Sequence, residues 1–123
     1  MKPIRVLLAD DAAAYRALLR MALEEDGRFA VVGEAGDGVE AVKLSDAEQP
    51  DVLLLDLAMP VMDGLQAIPE VRSRSPETKI VVLSGFSRDH LSDEAQSIGA
   101  SAYLEKGTAV ETIAETLVEL GTD

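Results

Sequence analysis

The 123-residue chain has no cysteine and no tryptophan. Without cysteine there is no disulfide framework, no thiolate nucleophile and no Cys-ligated zinc or iron–sulfur site. Its only aromatic rings are Tyr15, Phe29, Phe86 and Tyr103, too few for a base-stacking surface. Cations are scarce too: 11 Lys and Arg stand against 23 Asp and Glu, a formal net charge of −12. That balance repels phosphate backbones and argues against direct nucleic acid binding. No apolar run approaches the ~18 residues of a membrane span. The amino-terminal run Ile4–Ala9 is broken by Arg5 and ended by Asp10-Asp11, too short and too charged for a signal peptide. The expectation is a cytoplasmic protein away from membranes. Hydrophobic residues make up 47% of the chain, enough for a core, and the length suits one domain over residues 1–123.

Apolar patterning switches repeatedly between two periods. Ile4–Ala9 reads as a strand, and Tyr15, Leu18, Leu19, Ala22 and Leu23 then fall at helical spacing up to a stop at Gly27. Phe29–Val32 is a second short strand, and Gly33-Glu34-Ala35 leads it into a glycine-rich turn. A helix over Gly38–Asp46 has Val39, Ala41, Val42 and Leu44 as buried candidates. The unbroken runs Val52–Leu55 and Ile80–Leu83 suit central strands of a parallel sheet, buried on both faces. Leu65, Ile68 and Val71 mark a third helix, and Pro69 within it predicts either a kink or a later start. Leu91, Ala95 and Ile98 mark a fourth, stopped by Gly99, and Ala102–Leu104 is a last strand. Thr108 and Glu111 have capping-box spacing before a fifth helix lined by Val110, Ile113, Ala114, Leu117 and Val118. Strands and helices that alternate with short loops predict an α/β domain, a parallel sheet with helices on both faces.

Ligands of such sheets sit outside the carboxyl ends of the strands. The residues there are Asp10 and Asp11 after the first strand, Asp56 after the third, Ser84 after the fourth and Lys106 after the fifth. Three carboxylates together repel one another unless a cation offsets them. Oxygen donors without Cys or a placed His favour a hard ion, Mg²⁺ where phosphate is handled. Lys106 adds a point charge for phosphate or Asp56, and Ser84 a hydroxyl donor. This set suits phosphoryl transfer onto a carboxylate.

The stretches Leu8–Asp11, Leu54–Gly64, Val82–Gly85 and Gly99–Lys106 resemble, in order and interval, the response-regulator receiver domains of two-component signalling. The resemblance covers nearly the whole chain and implies a flavodoxin-like doubly wound (βα)5 fold. It implies that Asp56 accepts a phosphoryl group from a sensor histidine kinase or phosphotransfer protein. Asp11 and Asp56 match the direct Mg²⁺ ligands, with the backbone carbonyl of Ala58 as a third, and Asp10 matches the residue that holds the ion largely through water. Lys106 matches the phosphate-contacting lysine, Ser84 the switch hydroxyl, and Tyr103 the aromatic that turns inward as Ser84 moves. Ala58 and Phe86 stand where receivers modulate hydrolysis of the acyl phosphate, and their apolar character predicts slow loss. The resemblance leaves open a homodimer and a carboxyl-terminal effector domain; the Gly33–Gly38 stretch resembles receivers that carry helix-turn-helix domains. Gly107 follows Lys106 where receivers usually carry a proline.

A phosphatase of the haloacid-dehalogenase type is disfavoured, because no acid stands two residues after Asp56. The intact acidic set also argues against a degenerate receiver acting only as a scaffold. His90, Arg72, Arg74 and Arg88 read as solvated, and Met59 and Met62 as loop packing.

Overall fold

A computed structural model describes residues 2–122. The chain alternates β1 (Ile4–Ala9), α1 (Ala13–Asp26), β2 (Phe29–Ala35), α2 (Gly38–Glu48), β3 (Val52–Leu55), α3 (Gly64–Arg74), β4 (Lys79–Ser84), α4 (Arg88–Ser97), β5 (Ala102–Glu105) and α5 (Val110–Gly121). The strands form one parallel sheet in the order β2-β1-β3-β4-β5.

The two-residue period of each strand sorts its side chains between two cores. Ile4, Val6 and Leu8 of β1, Val52 and Leu54 of β3, and Val81 and Leu83 of β4 pack with Leu19 and Leu23 of α1 and Ile113 and Leu117 of α5. Their neighbours Leu7, Ala9, Leu53, Leu55, Ile80 and Val82 face the opposite core, with Ala41 and Val42 of α2, Ile68 and Val71 of α3, and Ala95 of α4. Burial on both faces accounts for the unbroken apolar runs of β3 and β4. Because the order reverses around β1, the carboxyl ends of β1 and β3 open a crevice. Among the described residues no helix is long and apolar enough to cross a membrane.

Several local expectations need correction. β2 does not turn at Gly33 but continues to Ala35. A register shift pairs Val6 with Val31 and Leu7 with Gly33, leaving Val32 as the extra residue of a bulge. α3 starts directly at Gly64 and carries Pro69 inside it. A capping box secures that start: Asp63 accepts from the Gln66 N–H at 2.8 Å, and Gln66 accepts from the Asp63 N–H at 3.0 Å. The box expected at Thr108 is absent, since its hydroxyl donates to the Glu105 carbonyl at 2.6 Å and Ala109 caps α5. Leu18 is exposed rather than core-facing, because the buried stripe of α1 runs through Leu19 and Leu23. Arg72 is not simply solvated: it donates to the Thr78 carbonyl at 3.0 Å and its stem lies over Gly99. His90 is exposed, while Met59 and Met62 pack against the core.

Candidate functional site

β1 delivers Asp10 and Asp11 to the crevice, and β3 delivers Asp56. Asp10 continues the ladder by donating its N–H to the Ala35 carbonyl at 3.0 Å, and Asp56 donates its N–H to the Ala9 carbonyl at 2.9 Å. Both aspartates are only 4% exposed, whereas Asp11 lies in the open. One carboxylate oxygen from each of Asp10, Asp11 and Asp56 falls within 4.8 Å of the others. All donors there are hard oxygens, a set that fits a divalent cation of the Mg²⁺ type.

Lys106 joins the two buried acids. Its Nζ lies 2.8 Å from Asp10 Oδ2 and 3.4 Å from Asp56 Oδ2. The other oxygens are held by main chain: Asp10 Oδ1 accepts from the Ala12 N–H at 2.8 Å, and Asp56 Oδ1 from the Ala58 N–H at 3.3 Å. Burial, and then the Asp10 charge, push the Asp56 carboxyl above its ordinary range, against the pull of Lys106 and the Ala58 N–H. Burial opposes the charge on Lys106, yet Asp10 and Asp56 together outweigh it and hold the ammonium above its usual value.

Two glycines shape the loop between Asp56 and α3. A Cβ on Gly64 would lie 2.4 Å from the Asp56 carbonyl oxygen, and one on Gly38 would lie 2.2 Å from the Met62 carbonyl oxygen. Their N–H groups use this closeness, Gly64 donating to Leu57 and Gly38 to Met62, each at 2.9 Å. Val61, at the exposed apex, has φ 68°, a left-handed conformation that is costly for a β-branched residue.

At the end of β4, Ser84 is fully buried and its Oγ accepts from the Phe86 N–H at 3.0 Å. Lys106 donates its own N–H to the Ser84 carbonyl at 2.7 Å. Tyr103 points inward, 1% exposed, and its hydroxyl donates to the Phe86 carbonyl at 3.0 Å. Ala58 is exposed and the Phe86 ring half-exposed. The Lys106–Gly107 peptide is trans and Gly107 has φ 101°.

Every residue singled out at the strand ends therefore gathers at one rim. Sequence reasoning missed the preference of Lys106 for Asp10 over Asp56, and it missed the parts played around the rim by Tyr15, Arg16, Arg20 and Glu34. The Tyr15 ring centroid lies 4.8 Å from Lys106 Nζ. Arg16 donates to the Asp10 carbonyl, and Glu34 Oε1 accepts from Arg16 at 3.0 Å. Arg20 adds a 2.7 Å bond to Glu34 Oε2, and these arginines hold the Glu34 carboxyl below its ordinary value. The available signal was position: Tyr15 and Arg16 stand in the first turn of the helix that follows the Asp pair.

Over residues 6–118 the sequence matches the family described as the response regulator receiver domain. The transcriptional regulatory protein PdtaR of Mycobacterium tuberculosis is 42% identical over 111 residues, which cover 90% of this chain and 53% of that protein. The transcriptional regulatory protein YdfI of Bacillus subtilis is 38% identical over 113 residues, covering 92% of this chain and 53% of its own. The chain thus spans about half the length of these relatives. In structure it is similar to the signal receiver domain of the putative response regulator NarL from Mycobacterium tuberculosis, with a TM-score of 0.93, 34% identity and 98% of each chain covered. A match that runs unbroken from β1 into α5 and carries the whole sheet with it leaves one assignment: the chain belongs to the receiver domains of two-component response regulators.

Proposed function

We propose that this chain is a phosphorylation-controlled switch whose phosphoacceptor is Asp56. Receiver domains are phosphoacceptors that bind Mg²⁺ at an acidic aspartate cluster, and a cluster of this kind is formed by Asp10, Asp11 and Asp56. The observation that carries the reading is the sharing of one ammonium, Lys106, by two buried carboxylates, Asp10 and Asp56. The donor is a phosphohistidine on a sensor histidine kinase or phosphotransfer protein. An Asp56 carboxylate oxygen forms the new bond to phosphorus while the phosphorus–nitrogen bond breaks and its electron pair stays on the imidazole. Asp56 then carries an acyl phosphate. Asp11, Asp56 and the Ala58 carbonyl, with Asp10 behind them, would hold Mg²⁺, which lets the carboxylates ionise side by side and offsets the charge of the phosphoryl group. Lys106 then pairs with phosphoryl oxygens on Asp56, a role supported by its 3.4 Å approach to the carboxylate.

A phosphoryl group adds roughly −1.5 to −2 charge and new acceptor oxygens. We assign the answering donor to the Ser84 hydroxyl, at the end of β4, the strand paired with β3. Because Ser84 Oγ and the Tyr103 hydroxyl both bond to the main chain of Phe86, a shift of one is felt by the other. The face around Ser84 and Tyr103 is therefore the one that changes, a two-state element biased by one charged group. Its output is an effector domain, a separate partner or a second copy of the chain, and in the full protein we assign it to transcription control. Ala58 and Phe86, both apolar, offer no group to orient water toward the acyl phosphate, which makes its hydrolysis slow.

The test is intact mass after incubation with Mg²⁺ and a small phosphodonor, beside Asp56→Asn. One added phosphoryl group in the wild type alone is expected. Phosphorylation of the Asn variant at the wild-type rate would place the acceptor elsewhere, and a folded wild type that takes up nothing from either a small donor or phosphorylated kinase would end the proposal.

A further inference from the structure

The contacts of Lys106 contain a partner that none of the foregoing chemistry uses. Its ammonium lies over the Tyr15 ring, 4.8 Å from the centroid, while touching Asp10 at 2.8 Å and Asp56 at 3.4 Å. We propose that Tyr15 is a positioning residue, whose ring face fixes the Lys106 ammonium between Asp10 and Asp56. The functional consequence rests on the reading of Asp56 as phosphoacceptor; the contact itself does not.

Three observations carry this. The Lys106 N–H is tied to Ser84, and the turn through Gly107, with φ 101°, is closed by the Thr108 N–H on the Glu105 carbonyl. These bonds fix the main chain, so the placement of the ammonium at the end of its long side chain depends on what the head group meets: Asp10, Asp56 and Tyr15. Next, its two ionic partners are the same carboxylates that a divalent cation at this cluster would engage. A cation there draws Asp10 and Asp56 toward itself and repels the ammonium. The neutral Tyr15 ring is not part of that competition; its quadrupole attracts Lys106 whether or not the carboxylates are otherwise engaged. Finally, the Lys106 side chain is only 27% exposed, so the ring meets an ammonium on a partly buried stem rather than one free in solvent. Tyr15 can do this because α1 begins right after the Asp pair and its first turn overhangs the strand ends.

Two variants and two measurements test the assignment. Tyr15→Phe keeps the ring and loses only the hydroxyl, and Tyr15→Leu keeps apolar bulk without a ring. In the unphosphorylated protein the ε-methylene protons of Lys106 should resonate upfield of those of Lys2, Lys43 and Lys79, through the ring current. That displacement is expected to persist in Tyr15→Phe and to vanish in Tyr15→Leu. Phosphorylation from a small donor should follow the same order, with Tyr15→Phe near wild type and Tyr15→Leu slower by roughly fivefold, ~1 kcal/mol. An unshifted Lys106 in the wild type, or a Tyr15→Phe variant that falls as far as Tyr15→Leu, overturns the proposal. A wild type with the upfield lysine that takes up no phosphoryl group refutes the phosphoacceptor reading and supports the Tyr15 contact.

Discussion

Replacing Asp56 with Asn should stabilise the metal-free protein. In the crevice one carboxylate oxygen of Asp56 lies within 4.8 Å of those of Asp10 and Asp11, and Lys106 Nζ lies 3.4 Å away. At an effective dielectric of about 20, a like-charge pair at 4.8 Å repels by about 3.5 kcal/mol, and an opposite pair at 3.4 Å attracts by about 5 kcal/mol. The Lys106 attraction and the Asp10 repulsion are thus of similar size and largely cancel, and Asp11, being exposed, adds little. The sign is decided by burial, since Asp56 is 4% exposed and an ion withdrawn from water costs several kcal/mol. The upward shift of the Asp56 carboxyl has the same cause, burial first and Asp10 second. Asn keeps the shape and removes the charge, for a net gain of about 1–3 kcal/mol. For a chain of this length, each kcal/mol moves the thermal midpoint by about 4 °C.

Thermal melts in EDTA, across pH, provide the assay. A carboxyl raised in the folded state binds its proton more tightly there than in the unfolded chain. Its contribution to stability therefore declines as pH rises from the ordinary value of 3.8 through the raised one, and stays low above it. The gap between variant and wild type should open over that window and then remain constant. Saturating Mg²⁺ should close most or all of that gap, since a ligand at 100 times its dissociation constant stabilises the wild type by about 2.7 kcal/mol. An Asn variant that melts below the wild type in EDTA at neutral pH would refute the claim that Asp56 is held at a cost.

Gly64→Ala and Gly38→Ala should each destabilise by more than about 2 kcal/mol and impair phosphorylation, because the new Cβ meets main-chain oxygen at 2.4 and 2.2 Å; denaturant melts and mass measurement check both. Ala58→Asn should shorten the lifetime of the phosphorylated protein severalfold by offering an amide to orient water, and an unchanged rate of phosphate loss counts against the role given to Ala58. Glu34→Gln should cost about 1–2 kcal/mol near neutral pH by unpairing Arg16 and Arg20. The Glu34 carboxyl is lowered in the fold, so its contribution is present above the ordinary value of 4.5 and is lost as pH falls through the folded value. Melts at pH 7 and pH 3 should show the variant's deficit shrinking in acid.

What was legible in the sequence follows from where side chains must go. β3 and β4 are buried on both faces, so their apolar runs end abruptly where the chain leaves the sheet, and the polar residue at that end is visible: Asp56 after Leu55, Ser84 after Leu83. Asp10 emerges in the same way after Ala9, whereas Lys106 follows the half-buried edge strand β5 and its exposed last residue Glu105. Features set by main-chain geometry or by partners far along the chain were not legible. The bulge at Val32 depends on the pairing of β2 with β1, and Gly33 looks like a turn until the register places it against Leu7. The Thr108 capping box satisfied its spacing rule, yet the hydroxyl bonds to Glu105 across the turn that Gly107 makes. Spacing cannot choose between two partners equally near in sequence, the Glu111 N–H from which the hydroxyl would accept and the Glu105 carbonyl to which it donates.

Tyr15 and Arg16 show a subtler limit. As helix residues they sort into an apolar and a polar face, and that sorting suggests a core aromatic and a solvated cation. Tyr15 does pack against the core, but the structure gives both residues adjacent tasks at the rim as well. Tyr15 reaches the ammonium delivered from the end of β5, and Arg16 reaches the Asp10 carbonyl at the end of β1 and Glu34 in β2. The first turn of α1 thereby bridges the two edge strands of the sheet across the crevice. It also has no side-chain cap of its own, since Ala12 stands at the cap position and gives its N–H to Asp10. The start of the helix is thus held by the acidic site as much as the site is held by the helix. A perturbation at Asp10 should therefore loosen the first turn of α1, and hydrogen exchange at Ala13–Arg16 should rise in Asp10→Ala even where Leu19 and Leu23 keep the rest of the helix packed.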